Sequence, residues 1–205
     1  MAPTAPADPV APADPVTEQI LTAGLAVFGR AGLEGTSMRA VAEAAGVSRP
    51  TVYARFRNKE DLFRGVVEHV FNAALADVGA AVAAGGPLAE VLFRALGCYF
   101  GRLYDEVLNL DGYEAFLAAQ QRLAADVAKR AHAVMREHLE RALAQSGAAV
   151  GGVSRAQLVD ILVLAPRAFK ELGTSSRVYR QRLRSLARVV AAAAAGASAE
   201  DAAGR

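Results

Sequence analysis

The chain has 205 residues, of which 53% are apolar, and its 23 basic and 21 acidic residues give a net charge of +2. A chain of this length and apolar content buries a sizeable core, so the composition excludes an unfolded protein. The small net charge excludes bulk attraction to nucleic acid, and any basic site must therefore be local. The single cysteine, Cys98, excludes an internal disulfide and a thiolate metal cluster, and fits a reducing cytoplasm.

The two ends of the chain differ in composition from its body. In residues 1–16 a proline recurs at every third position among alanine and aspartate, which predicts an extended, disordered tail. Residues 191–205 are rich in alanine, and we expect a second tail there, in which the last helix frays. No apolar run is long enough to cross a bilayer and the start lacks the pattern of a secretion signal, so we predict a cytoplasmic protein.

The body of the chain carries apolar residues at the 3.6-residue spacing of helices and shows no convincing strand alternation, which predicts an all-α protein. The first helix is predicted to begin with Thr17 as its N-cap and to end near Gly32. Gly24, in its middle, weakens this helix by about 1 kcal/mol relative to alanine, unless close packing needs the missing side chain.

Two short helices are predicted to flank a tight glycine turn. Thr36 or Ser37 caps the first of them, and Gly46 ends it, because glycine enters a left-handed turn without steric cost. Ser48 caps the second, where Pro50 is harmless because first-turn amides have no intrahelical partner.

Longer helices follow. Asn58 is predicted to cap a fourth helix, and Pro87 to begin a further helix with a wide apolar face. Residues 113–146 are helical in pattern, with a break whose position the sequence does not give. Ser154 and Gln157 form a capping box for the helix after that.

Residues 36–56 have the pattern of a helix-turn-helix. Small residues let the two helices cross closely, and Gly46 makes the turn between them. The second helix of such a motif reads a DNA major groove. Residues 36–64 hold six basic and three acidic side chains, so a local charge of +3 coincides with this motif, as DNA binding requires. We therefore predict a three-helix DNA-binding domain over residues 17–63.

Residues 20–63 resemble the N-terminal domain of the TetR/AcrR family of bacterial transcriptional regulators. The resemblance covers about a fifth of the chain, and Gly24 departs from it where alanine is expected. The residues that carry it are Ile20-Leu21, the segment 28–32, Thr36-Ser37-Met38, Val41-Ala42, Ala45-Gly46-Val47-Ser48, Val52-Tyr53, Phe56 and Lys59-Glu60.

The resemblance implies roles for the matched surface residues. The Tyr53 hydroxyl and the Lys59 ammonium group would contact phosphates, as would the hydroxyls at the helix starts, whereas Arg49 and Thr51 would read bases. A core position is the alternative for Tyr53, and Arg55 and Arg57 are equally compatible with solvated helix-end charges. The full predicted set is Thr36, Ser37, Ser48, Arg49, Pro50, Thr51, Tyr53 and Lys59.

For residues 64–190 the resemblance implies a helical ligand-binding and dimerisation domain. Residues 161–165 are apolar on every side, so the helix over residues 158–172 is expected to face its own core and a partner subunit, with Pro166 interrupting and kinking it. The apolar stripe of the last helix, from 179 to 190, is expected to join the dimer interface. Arginines between 177 and 188 form a solvated or ion-paired stripe, with a second nucleic-acid contact as the alternative.

A ligand pocket needs aromatic and apolar lining with a few polar groups, although each candidate taken singly is more often ordinary core. No metal or cofactor is expected, because His132 and His138 fall on different helix faces. Two roles are open for Cys98, a redox sensor and a small buried hydrophobic residue. The lack of a nearby resolving thiol favours the second. The pocket candidates are Phe93, Cys98, Tyr99, Phe100, Tyr104, Tyr113, Phe116, His132, Met135 and Phe169.

These observations predict a dimeric DNA-binding transcriptional repressor, which a small apolar or aromatic molecule releases from a palindromic double-stranded operator. An enzyme is the first alternative, but no glycine-rich phosphate loop, nucleophile elbow or spaced metal-ligand cluster supports it. A helical protein-interaction module with a vestigial helix-turn-helix is the second. The sequence names neither the operator nor the effector nor the regulated genes.

Overall fold

The computed structural model describes residues 14–101, 113–147, 152–171 and 175–203. Every regular element in these ranges is helical, which confirms the all-α class. The predicted tail over residues 1–13 and the pocket candidate Tyr104 lie outside the described residues, as does the side chain of Tyr113.

Helix α1 spans Pro15–Gly35, and its N-cap is Asp14, so the prediction that Thr17 caps it was wrong. The Asp14 carboxylate accepts hydrogen bonds from the backbone N–H groups of Val16 and Thr17, at 3.1 and 3.2 Å. The folded region therefore begins within the proline-rich segment predicted as a tail. Regular helical geometry is interrupted at Gly32, with φ 65°, near the predicted end, and a further turn follows.

Helices α2, Met38–Ala44, and α3, Arg49–Tyr53, begin at the predicted caps Ser37 and Ser48. Gly46 lies between them with φ 65°, the left-handed conformation that its lack of a Cβ permits. The predictions of the turn and of both short helices are confirmed.

Helix α4, Lys59–Ala83, is capped by Asn58 as predicted, with the Asn58 side chain accepting from the Asp61 N–H at 2.7 Å. By length and composition alone this helix passes for a membrane span. Nine of its apolar side chains are nevertheless buried, and it packs against α1 and the later helices, as expected of the central helix of a folded domain. Helix α4 is therefore common to both halves of the chain, which are the helices before α4 and the helices after it.

Helix α5, Leu88–Leu96, starts after Pro87 as predicted and passes into a π-helical turn over Gly97–Gly101. Helices α6, Tyr113–Leu123, and α7, Ala125–Gln145, meet at Ala124, where the backbone leaves helical geometry at φ −139°. The break that the sequence did not locate is therefore at Ala124, which is itself fully buried.

Helices α8, Arg155–Glu171, and α9, Ser176–Ala203, complete the described fold. The predicted capping box is confirmed, since Ser154 and Gln157 exchange backbone and side-chain hydrogen bonds of 2.8 and 3.3 Å. The prediction that Pro166 interrupts its helix was wrong, because α8 continues to Glu171. Helix α9 also extends through the alanine run that was expected to fray, and it buries Ala194.

Gly24 allows α1 to approach α4 closely. A Cβ added at this position would lie 2.8 Å from Cγ2 of Val66, a stiff β-branched side chain. We predict that Gly24→Ala lowers the free energy of unfolding in urea by about 1 kcal/mol. Overpacking costs about 1–3 kcal/mol, which exceeds the gain of about 1 kcal/mol in helix propensity.

The matched control is Gly97→Ala. Gly97 has helical dihedral angles, and no atom outside its own helix lies within 4 Å of an added Cβ. This variant should be unchanged or slightly stabilised. If Gly24→Ala and Gly97→Ala were stabilised equally, close packing would not explain why a glycine stands at position 24.

Candidate nucleic-acid interface

The helix-turn-helix presents its predicted contact residues on one exposed surface. Val41 and Val52 are fully buried beneath it and hold α2 against α3. Tyr53 is 47% exposed, which excludes the alternative of a core aromatic. The exposed members of the predicted set are Ser37, Ser48, Arg49, Pro50 and Tyr53, with Thr51 and Lys59 partly exposed beside them.

The hydroxyl groups on this surface already have partners within the protein. Ser37 accepts from the Ala40 N–H at 3.1 Å. Ser48 accepts from the Thr51 N–H at 3.2 Å, and the two hydroxyl oxygens are 2.7 Å apart. These bonds cap α2 and α3, so each serine fixes the start of the helix that carries its neighbours.

Thr36 differs from the rest of the predicted set. Its side chain is buried and its hydroxyl donates to the Gly32 carbonyl at 2.7 Å, closing the end of α1. The prediction of a phosphate contact through this hydroxyl is therefore corrected: Thr36 supports the turn that positions Ser37.

Arg55 joins the end of the α3 region to the start of α1. Its guanidinium donates to Thr17 Oγ1 at 2.9 Å and to the Asp14 carboxylate at 3.1 Å. Hydrogen bonds from the Thr17 side chain and from Arg55 hold the pKa of Asp14 well below its usual range. Arg55 thus braces the motif from within, a role that the sequence did not indicate, because the partners are 41 residues apart.

Lys59 lies at the first position of α4 and folds back onto α1. Its ammonium group donates to the Glu34 carbonyl at 3.4 Å and lies 3.9 Å from the Glu34 carboxylate. The same carboxylate is 3.4 Å from Arg122 on α6. Glu34, which sequence reasoning missed, therefore bridges the predicted phosphate contact and the C-terminal helices.

Arg64 provides a second polar link between the two halves. It donates to the Leu123 carbonyl at 3.1 Å and to both oxygens of Asp126, so it satisfies the backbone at the break between α6 and α7. Hydrogen bonds from Arg64 and Arg130 lower the pKa of Asp126 below its usual range. The start of α4, next to the helix-turn-helix, is thus tied to the junction of α6 and α7 by a charged, multidentate contact.

Most predicted pocket residues are core residues instead. Tyr99, Phe116 and Met135 are at most 4% exposed and pack among other apolar side chains, as does Phe100. Phe93 is partly buried beneath the Arg184 guanidinium, 4.4 Å from its ring centroid. The remaining half-buried candidates, Cys98 and Phe169, also pack against the core.

A cleft of about 540 Å³ opens between α6, α7 and α8, and among the described pocket candidates His132 alone lines it. The cleft residues that sequence reasoning missed are polar: Gln120, Gln121, Lys129, Arg136 and Arg167. Polar side chains on a helix surface carry no such signal in a sequence, because most of them are solvated.

His132 and His138 lie in different surroundings. His132 pairs through Nδ1 with the Ala128 carbonyl, and burial lowers the pKa of His138. Within the described ranges, no three His, Cys, Asp or Glu side chains are grouped closely enough to hold a metal ion.

Comparison with known proteins gives matches to the helix-turn-helix. The family described as bacterial regulatory proteins, tetR family, matches residues 20–66. The HTH-type transcriptional repressor ComR of Escherichia coli (strain K12) is 44% identical over 48 residues, which are 23% of this chain and 23% of ComR. The match to ComR therefore spans less than a quarter of its length.

Solved structures extend the likeness to the whole fold. A transcriptional regulator from Mesorhizobium loti, assigned to the TetR family, superposes with a TM-score of 0.63 at 20% identity, covering 86% of this chain and 95% of that one. The regulator FadR from Bacillus subtilis, solved in complex with stearoyl-CoA, gives a TM-score of 0.60 at 15% identity over 86% and 98%. Residues 20–66 thus match the helix-turn-helix of the tetR family of bacterial regulatory proteins, and the described fold is shared with solved transcriptional regulators.

Proposed function

We propose that this protein is a cytoplasmic, non-enzymatic transcriptional repressor that binds a palindromic DNA operator as a homodimer and is released by a small molecule. The observation that carries the proposal is the exposed surface of α2 and α3, with Arg49 and Tyr53 open to solvent. This surface lies in the segment where the chain concentrates a net charge of +3. Positive charge on a helix-turn-helix favours the phosphate backbone of DNA.

Within this surface we assign base reading to α3. Arg49 is exposed at the first position of α3, and a guanidinium there can fork onto a guanine edge in the major groove. Thr51 offers its methyl group to the same groove, because its hydroxyl is held by Ser48. Ser37, Tyr53 and Lys59 flank α3 and supply phosphate contacts, with Ser48 and Pro50 at its start.

The dimer is supported by apolar residues left uncovered on the two C-terminal helices. Ile161, Leu164 and Val189 are 46%, 58% and 66% exposed, whereas Leu158 and Leu162 of the same α8 helix are buried. Helix α8 thus has apolar side chains on a face that the described part of the chain does not cover. The stripe from Tyr179 to Val190 is buried within the subunit, so the expectation that it faces a partner was wrong.

Control by a small molecule is supported by the contacts between the two halves. Arg64 holds the junction of α6 and α7, and Glu34 joins α1 to Arg122 of α6. A ligand that prefers one arrangement of these helices changes the affinity of the protein for DNA. By the same factor, bound DNA changes the affinity of the protein for the ligand. FadR from Bacillus subtilis, which has this fold, is a regulator solved with stearoyl-CoA.

If Arg49 reads a base and Lys59 anchors a phosphate, replacing each of them should weaken DNA binding in a different way. Arg49→Ala should weaken cognate DNA binding by about 1–3 kcal/mol per half-site and relax the preference at one base position. Lys59→Ala should weaken binding to all sequences alike, and reduce the slope of log affinity against log salt by about one per half-site. Fluorescence anisotropy with cognate and scrambled duplexes at several salt concentrations measures both.

Arg39→Ala serves as the control, since Arg39 is exposed on α2 but pairs with Glu43 and belongs to no predicted contact. Each variant must remain a folded dimer. Equal loss of cognate and scrambled binding in Arg49→Ala would make Arg49 a phosphate contact. Absence of salt-dependent DNA binding in the unmodified protein would favour the interaction-module alternative.

The dimer face gives a further prediction. Leu164→Glu places a charge on the uncovered face of α8, where a buried interface would have to desolvate it. We expect sedimentation to show a monomer at micromolar concentration, with unchanged helical circular dichroism. The control is Ala76→Glu, at an exposed position of α4. A Leu164→Glu variant that sediments as a dimer would place the interface elsewhere.

A further inference from the structure

The cleft between α6, α7 and α8 carries basic side chains and no acidic ones among its described lining residues. Its polar and charged lining consists of Gln120, Gln121, Lys129, His132, Arg136 and Arg167. Its volume, about 540 Å³, is in the range of pockets that enclose small organic molecules.

Two of the three cations in the cleft are uncompensated. Arg136 lies 2.7 Å from the Asp160 carboxylate, which neutralises it. Lys129 and Arg167 form no ion pair or hydrogen bond with the described part of the chain. Because they face the cleft from different helices, α7 and α8, their fields add where a bound group would lie.

The inner side of the cleft is aromatic. The ring of His132 packs edge-on against those of Tyr99 and Phe71, with centroids 5.6 and 6.1 Å away. Tyr99 is 1% exposed, and its hydroxyl has no hydrogen-bond partner among the described residues. Tyr99 thus lies behind His132, which lines the cleft. A buried, unpaired hydroxyl beside a cavity is a position where a ligand supplies the missing partner.

The remaining wall is formed by small side chains. These are the alanines of α7, whose small size leaves room for the cleft and whose methyl groups line this wall: Ala125, Ala128 and Ala133. An apolar body fits this wall, whereas an anionic group fits the two cations. Neither an inorganic anion nor a neutral apolar molecule satisfies both parts of the lining.

We propose that this cleft binds an amphipathic organic anion, with its carboxylate between Lys129 and Arg167 and its apolar body against the alanines of α7 beside His132. The inference rests on the proposed function, in which a small molecule controls DNA binding, and names the chemical class of that molecule. It adds a negative charge to the apolar or aromatic effector expected from the sequence.

Isothermal titration of the full chain with matched probes tests the proposal. Octanoate should bind about tenfold more tightly than octanamide, which has the same apolar body without the charge, and more tightly than inorganic phosphate. Lys129→Gln and Arg167→Gln should each weaken octanoate binding about tenfold and leave octanamide unchanged. Arg155→Gln, on the same α8 helix but outside the cleft lining, should change neither.

Thermal unfolding of each variant without ligand checks that the fold is intact. Equal affinities for octanoate and octanamide, or no binding of octanoate, would overturn the proposal. It would also be overturned if a variant with both Lys129→Gln and Arg167→Gln kept the preference for octanoate over octanamide.

Operator binding, measured separately, distinguishes this inference from the proposed function. If octanoate binds as expected but operator affinity stays constant, the cleft assignment stands and ligand control fails. If neutral molecules release the operator and octanoate does not bind, ligand control stands and the cleft assignment fails.

Discussion

The burial of α4 along its length is the constraint on which both halves of the structure depend. Nine apolar side chains of this helix are buried, and each of the eight that are valine, leucine or phenylalanine contributes about 1.5–3 kcal/mol relative to exposure. The first half of α4 packs on α1, where Gly24 permits close approach, and later turns pack on α5 and α7. Because one continuous helix belongs to both cores, neither half can shift along α4 without repacking the other.

Polar contacts at the start of α4 give this shared core a specific geometry. Arg64 satisfies the carbonyl of Leu123 and the carboxylate of Asp126, on either side of the helix break at Ala124. Exposed ion pairs add little stability, so the value of these contacts lies in fixing where α6 and α7 meet. The same junction forms one end of the basic cleft, since Gln121 precedes it and Lys129 follows it. A molecule in the cleft would therefore contact the two helices whose junction Arg64 holds.

The two basic surfaces differ in shape, and this difference separates their ligands. Arg49 and Tyr53 stand on an exposed helix pair, which is the arrangement that a DNA duplex would require. Lys129 and Arg167 instead line a cleft together with glutamine, histidine and alanine side chains. Neither surface is evident in a net charge of +2, because acidic residues elsewhere in the chain offset both.

The sequence by itself determined the helical class, the turn at Gly46, the caps at Ser37, Ser48 and Asn58, and the helix-turn-helix of α2 and α3. These features are local: a cap or a left-handed glycine depends on neighbours within four residues, and an exposed motif follows from apolar spacing.

Tertiary structure alone decided the contact between Arg55 and Asp14, the break at Ala124, the burial of Thr36 and the lining of the cleft. Each depends on partners far apart in the chain, such as Arg55 with Asp14 or Arg64 with Leu123. Lys129 and Arg167 meet across a cleft only after α7 and α8 have packed. Periodicity reports which face of one helix is apolar, but not which side chains of two helices come together, because that is set by how the cores interlock.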